Sequence, residues 1–264
     1  MTRWRRRAVA NAAAPGPALD VVTVRQWLWG EGFVIPGGED AVLTLVAPLG
    51  LGPGKQFLDV AAGLGGAVRA VAQRLNADAV GLERDALLAH AGMAMSAARG
   101  LARRALVRPY DPESFDLPFA AYDGALAREA THEVRDKERF LRVVKQGLKL
   151  AAPFVLVDFM LDRGGGDAAS LADWAPHLWT RERYEDCCKS LGFEISAVAD
   201  ESDAYRARVM EGWHALTRRD ELHRIPRSDF VPILAEAERW TRTIQALDNH
   251  ALRVIRIEAA GRSG

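Results

Sequence analysis

The chain has 264 residues, 49% of them hydrophobic and 27% charged, enough for one decorated globular domain with a substantial core. Its formal net charge is zero, so no global field draws it to nucleic acid or to an anionic membrane. Arg3, Arg5, Arg6 and Arg7 crowd an acid-free start, leaving 31 basic against 35 acidic residues beyond it. Residues 1–19 read as a flexible Arg-rich arm without the apolar run of a secretory signal or a membrane span. Cys187 and Cys188 are adjacent and cannot build a disulfide framework. A cytoplasmic protein is expected, with no stable membrane insertion. No basic stripe with interleaved aromatics marks a nucleic-acid partner.

Residues 20–50 hold two amphipathic pieces, around Trp27-Leu28-Trp29-Gly30 and Phe33-Val34-Ile35-Pro36-Gly37-Gly38. They read as N-terminal helices lying over a site. Residues 29–42, WGEGFVIPGGEDAV, resemble the N-terminal segment of phosphoethanolamine-type amine N-methyltransferases, which implies that Trp29 and Phe33 face the substrate. The alternative is that the tryptophans anchor a terminal helix to a core.

The run Gln56 to Glu83 organises the rest. Phe57 to Val60 is a short apolar strand carrying Asp59, and a turn follows at Ala61-Ala62-Gly63-Leu64-Gly65-Gly66. Val68, Val71, Ala72 and Leu75 then recur on one helical face, and the strand Ala79 to Leu82 ends in Glu83. Strand, glycine turn, helix, strand, acid is the grammar of a nucleotide-binding βαβ unit. The glycines let the backbone approach a ligand, and an acid after the second strand can accept hydrogen bonds from a ribose. A dinucleotide pyrophosphate would be repelled by Asp59, whereas a cationic ligand suits it. This stretch resembles motif I of the class I S-adenosylmethionine-dependent methyltransferases, with Ala61 in place of the first glycine. That resemblance implies S-adenosylmethionine as cofactor. It places Asp59, Ala61, Gly63 and Gly65 around the methionine part, and Glu83, with Arg84 beside it, at the ribose.

Further along, a helix is expected over Asp85–Arg99, a third strand over Ala105–Val107, and a fourth over Tyr122–Ala127. In the resembling family an acid leaving strand three contacts the adenine, which points to Asp111 with Tyr110 beside it. After strand four, Arg128-Glu129-Ala130-Thr131-His132, then Asp136-Lys137, is similar to the E-x-x-H and D-K signature of sarcosine- and phosphoethanolamine-type amine methyltransferases. Arg128 then faces the cofactor carboxylate. His132, with Glu129, is the candidate base or orienting group, since imidazole titrates near neutral pH; a capping histidine before the next helix is the plain alternative.

A helix follows over Asp136–Leu148, then a buried strand Phe154–Phe159 carrying Asp158, preceded by Lys149–Pro153 where the family has a Pro-Gly-Gly turn. A flexible loop is read at Asp162–Ser170, followed by Trp174, His177 and Trp179. Next come a helix over Thr180–Leu191 and a sixth strand over Phe193–Ala199. Residues 200–248 break the rhythm with helices Ser202–Arg218 and Phe230–Leu247, read as a substrate lid carrying Tyr205, Trp213 and His214. Ala251–Ala259 is the seventh strand.

The expected fold is therefore α/β. It is a Rossmann-like, seven-stranded, mostly parallel sheet with helices on both faces, strand seven antiparallel, and a helical insertion between strands six and seven. The methyltransferase domain covers residues 20–264. The leading function is methyl transfer to a small-molecule amine nitrogen. Oxygen methylation of a carboxylate or phenol and a non-catalytic binding protein are the alternatives. No metal-ligand spacing is present, and a homodimer is left open.

Overall fold

A computed structural model of the chain describes residues 19–162 and 177–261. All but the last residue of the Arg-rich arm, all but the first residue of the loop read at Asp162–Ser170, and Trp174 lie outside the described residues. Two helices come first, α1 (Val21–Trp29) and α2 (Gly38–Val46). Asp20 starts α1 by accepting the Thr23 N–H at 2.7 Å, which satisfies one of the free donors of its first turn. Then β1 (Gln56–Asp59) leads through the glycine turn to α3 (Gly66–Ala70). That helix stays α-helical for five residues only. It widens into a π turn at Val71–Leu75 and ends at Asn76 in the left-handed region, φ 57°.

Next come β2 (Asp78–Glu83), α4 (Ala86–Ala98), β3 (Ala105–Pro109), β4 (Gly124–Arg128), α5 (Lys137–Gly147) and β5 (Pro153–Leu161). Asp85 and Asp136 cap α4 and α5, accepting the N–H groups of Leu87 at 2.8 Å and Arg139 at 2.9 Å. The chain closes with α6 (Arg181–Ser190), β6 (Phe193–Asp200), α7 (Ser202–Thr217), α8 (Val231–Asp248) and β7 (Leu252–Gly261). Strand four starts two residues later than expected. Tyr122 makes only one parallel bridge, to Leu148, before the ladder begins at Gly124.

The sheet order is β3-β2-β1-β4-β5-β7-β6. All pairs are parallel except those of β7, which runs antiparallel to both β5 and β6. This is the expected seven-stranded sheet, with the chain reversing direction across β1 so that β1 and β4 part at their carboxyl ends. Open parallel sheets bind ligands at such a crossing point.

Helices cover both faces. Along β5, Val155, Val157 and Phe159 enter the core under α1, α2, α7 and α8, while Phe154, Leu156 and Met160 enter the core under α5 and α6. An unbroken apolar run thus still obeys the two-residue period of a strand buried on both sides. The 200–248 insertion is a packed layer. Trp240 of α8 meets Trp29 edge-on at 5.2 Å, and Gly212 of α7 lies so close that a Cβ there would sit 2.3 Å from the Trp29 ring. Glu236 is 2% exposed, held by Arg25 at 2.6 Å and by the Trp240 indole N–H at 3.1 Å. Among the described residues no helix is long and apolar enough to cross a membrane.

Candidate active site

The carboxyl ends of β1, β2 and β4 open into one cavity, roofed by the strap that joins α1 to α2. Its floor is the turn Ala61–Gly63 and its roof is Gly32–Ile35. The two surfaces touch. Gly63 has φ +54°, and a Cβ there would fall 2.6 Å from a Val34 methyl; a Cβ on Gly66 would fall 2.6 Å from both the Gly32 carbonyl and the Phe33 ring. Only glycine permits both the turn and the close roof. Gly65, φ +77°, lies outside the lining, packed against Val107.

Three strand ends contribute the charged groups. Asp59, 3% exposed, has one oxygen accepting the Ala61 N–H at 3.2 Å. Burial pushes its carboxyl up to about 7, against the pull of that N–H and of the Arg128 guanidinium, with Glu83 nearby adding to the rise. The Glu83 carboxylate is fixed at both ends, one oxygen accepting the Gly63 N–H at 2.7 Å and the other the Asp85 N–H at 2.9 Å. Burial raises its pKa too, while those two N–H groups oppose the rise. Each oxygen keeps a free lone pair, enough for a vicinal diol. Arg128, 6% exposed, donates to the Pro36 carbonyl at 2.6 Å and so ties the strap to β4; burial lowers its pKa. The Tyr110 hydroxyl donates to the Val60 carbonyl at 2.6 Å, and its ring and Arg84 form the far wall.

Glu129 follows Arg128 with φ +52°, a left-handed backbone that side-chain-bearing residues rarely adopt. Its N–H is tied to the Val157 carbonyl at 2.8 Å and one carboxylate oxygen accepts the Tyr205 hydroxyl at 2.8 Å. Such strain concentrates at working sites. The residue is thus held at the cavity wall by its backbone and by one carboxylate oxygen.

Asp59, Ala61, Gly63, Glu83, Arg84, Tyr110, Arg128, Glu129 and Phe33 are therefore brought together. The other expected residues are not, Gly65 and His132 among them. Asp111 lies on an adjoining rim and commits its carboxylate to its own turn, accepting the Ser114 hydroxyl at 2.7 Å and the Glu113 N–H at 3.0 Å. The reading of Trp29 as substrate-facing does not hold, because its ring is a core anchor between α7 and α8. Tyr205 is 3% exposed and reaches the cavity only through Glu129. Trp213, a further lid candidate, lines an apolar groove between α7 and α8 instead.

His132 stands behind the wall. Its Nδ1 lies 2.8 Å from Asp158 Oδ1, and its ring meets Phe159 edge-on at 5.4 Å. Burial alone would lower the histidine pKa, but the Asp158 carboxylate outweighs it and the net shift is upward. Asp158 is fully buried. Burial favours its protonation, yet His132 and the Thr131 hydroxyl and N–H, at 2.7 and 2.6 Å, hold its pKa below the usual value. The Tyr184 hydroxyl, 2.6 Å from Thr131 Oγ1, extends this chain to α6. Both shifts favour the charged pair. Its stabilisation is present above the ordinary carboxylate range and is lost as pH rises through the raised histidine value. Asp158→Ala strands these donors and is expected to lower unfolding free energy by about 3–5 kcal/mol near pH 6. Denaturant melts of both proteins check this; a loss below about 1 kcal/mol would show the pair is a bystander.

The cavity geometry can be set beside known proteins. No family model matches the chain. Over 185 residues it is 25% identical to phosphoethanolamine N-methyltransferase 3 of Arabidopsis thaliana, covering 67% of this chain and 36% of that protein. Over 201 residues it is 27% identical to 24-methylenesterol C-methyltransferase 2 of Oryza sativa subsp. japonica, covering 68% and 55%. Phosphoethanolamine N-methyltransferase 2 of Haemonchus contortus, solved with phosphomonomethylethanolamine and S-adenosylhomocysteine, superposes with a TM-score of 0.81 at 16% identity, over 92% of this chain and 57% of that one. The fold is that of the class I S-adenosylmethionine-dependent methyltransferases. The chain spans about a third to a half of the length of these curated relatives.

Within this methyltransferase fold, several site-building groups escape a reading of the sequence. The Pro36 carbonyl that anchors Arg128 is backbone and carries no side-chain signal. Asp158 does carry one: a lone acid in a strand buried on both faces must have donors. Arg69, taken up below, sits one position off the apolar stripe of α3 and looks like an ordinary solvent-facing residue.

Proposed function

We propose that the chain is an S-adenosylmethionine-dependent methyltransferase that methylates a small-molecule acceptor, with an amine nitrogen as the reacting atom. The observation that carries this reading is the Glu83 carboxylate, clamped by the Gly63 and Asp85 N–H groups at the end of β2 with two lone pairs free. A ribose diol fits that acceptor pair. Asp59, a buried carboxylate with a single backbone partner, fits the ammonium of the methionine part, and the donors of Arg128 not given to Pro36 fit its carboxylate. Tyr110, Pro112 and Arg84 remain for the adenine side.

The cofactor supplies a methyl group already activated by its sulfonium, leaving the protein to position the acceptor, exclude water and take a proton. The strap residues Phe33, Val34 and Ile35 provide the exclusion. Glu129, oriented by Tyr205, faces the acceptor and accepts the proton that the nitrogen loses as the new bond to carbon forms. His132 and Asp158 set the loop that carries Glu129, and α7 closes the acceptor side through Tyr205. The names of the relatives, which include both nitrogen and carbon methylation, support the cofactor more firmly than the acceptor.

The test is label transfer from methyl-labelled S-adenosylmethionine to a panel of small amines, with phenols and carboxylates alongside. Labelled methylamine products are expected. Transfer confined to the oxygen acceptors would move the reaction to oxygen. Binding of S-adenosylhomocysteine without any transfer would leave a binding protein.

A further inference from the structure

Arg69 is a charged residue buried where no carboxylate hydrogen-bonds to it among the described residues. It is 4% exposed, and its guanidinium lies directly under the glycine turn. One amino group, Nη1, donates to the Leu64 carbonyl at 2.7 Å and to the Gly92 carbonyl of α4 at 3.2 Å, with Ser96 Oγ at 3.5 Å. The other, Nη2, lies 4.0 Å from the Met95 sulfur. Glycines make the room. A Cβ on Gly32 of the strap would stand 2.2 Å from Nη2, and one on Gly65 would stand 3.0 Å from Nη1. A Cβ on Gly92 would stand 2.8 Å from the Leu64 carbonyl oxygen that Arg69 holds. Strap, turn and α4 thus converge on a single side chain.

Burial lowers the Arg69 pKa to about 10, which still leaves it charged at neutral pH. A buried charge satisfied by neutral carbonyls is an expensive way to fill space that a methionine or leucine would fill. What an apolar residue could not do is hold the Leu64 carbonyl. The preceding residue, Gly63, gives its N–H to Glu83. The turn is therefore pinned from above by the carboxylate at the end of β2 and from below by the guanidinium, across two consecutive residues.

We propose that Arg69 is a positioning residue of the cofactor site, locking the glycine turn to the strap and to α4 so that floor and roof of the cavity keep one relative geometry. The lock itself is read from the ligand-free geometry; its consequence for the cofactor rests on the function proposed above.

The experiment is amide hydrogen exchange on the ligand-free protein, with S-adenosylhomocysteine titration of the same samples, for wild type, Arg69→Met and Arg69→Lys. In Arg69→Met the amides of Gly63 and Gly65 in the turn and Phe33 in the strap are expected to exchange at least about tenfold faster, while β5 and β7 amides keep their wild-type rates. Affinity for S-adenosylhomocysteine should fall at least about tenfold in Arg69→Met, and lysine, which keeps one donor head, should recover part of both effects. A purely structural role would speed nothing selectively and would move β5 and β7 along with the turn. Wild-type exchange at turn and strap in both variants overturns the proposal. If methionine unfolds the whole chain, the local pattern in Arg69→Lys decides. Faster local exchange in a protein whose wild type binds no S-adenosylhomocysteine would uphold the lock and reject the cofactor reading instead.

Discussion

Glu83→Ala is expected to weaken S-adenosylmethionine binding by about two to three orders of magnitude while the chain stays folded. Two hydrogen bonds from ribose hydroxyls to an ionised carboxylate are together worth about 3–5 kcal/mol, and each factor of ten in affinity is about 1.4 kcal/mol. The substitution also leaves the Gly63 and Asp85 N–H groups without their acceptor, so the turn loses its upper pin. Glu83→Gln separates the two effects. It keeps the shape and one acceptor oxygen but turns an NH2 group towards one of the backbone donors, and a loss of about tenfold to a hundredfold is expected. Calorimetric titration with S-adenosylmethionine and S-adenosylhomocysteine reads both variants. Unchanged affinity in Glu83→Ala would remove the ribose from the end of β2.

Cofactor binding is expected to depend on pH through Asp59. Its folded carboxyl titrates at about 7 against an ordinary value of 3.8, because burial dominates. The unfolded chain has therefore lost this proton across a window, from about 4 to about 7, in which the ligand-free fold retains it, and this group lowers stability as pH rises through that window. A cationic ligand reverses the preference, since it binds the ionised form. Affinity for S-adenosylmethionine is then expected to climb about tenfold per pH unit up to about 7 and to level off above it, with a proton released on binding on the acid side. Titrations between pH 5.5 and 8.5 in buffers of different ionisation enthalpy measure both quantities. Asp59→Asn should flatten the climb and weaken binding at pH 8; whatever slope survives belongs to Glu83, whose pKa burial also raises. An affinity that is level in the wild type would put the cation somewhere other than beside Asp59.

The parts of the molecule governed by local pattern were legible in the sequence. The seven strands, the helices that start at Asp85 and Asp136, and the acids that end β1 and β2 follow from apolar periodicity and from turn chemistry, which act over a few residues. Once β1 and β2 pair in parallel, Asp59 and Glu83 must emerge at the same edge. The parts decided by distant packing were not. Whether Trp29 faces a ligand or a core depends on where α7 and α8 lie, some 200 residues away in the chain, and the Trp240 ring and the bare backbone of Gly212 settle it. His132 and Glu129 sit three residues apart in one loop. Yet the buried Asp158 on β5 draws the first behind the wall, while Tyr205 on α7 holds the second at the cavity. The π turn after α3 has no signature at all, since Val68, Val71, Ala72 and Leu75 fit an unbroken helix equally well.

The left-handed backbone at Glu129 ties the durability of the fold to the cavity wall. A glycine there would relax the chain by about 1 kcal/mol, but it would also strip the buried Tyr205 hydroxyl of its acceptor, at a cost of about 1–3 kcal/mol. The strain is outweighed by the hydrogen bond it makes possible. Selection of this chain for heat resistance alone would thus keep an acceptor at residue 129.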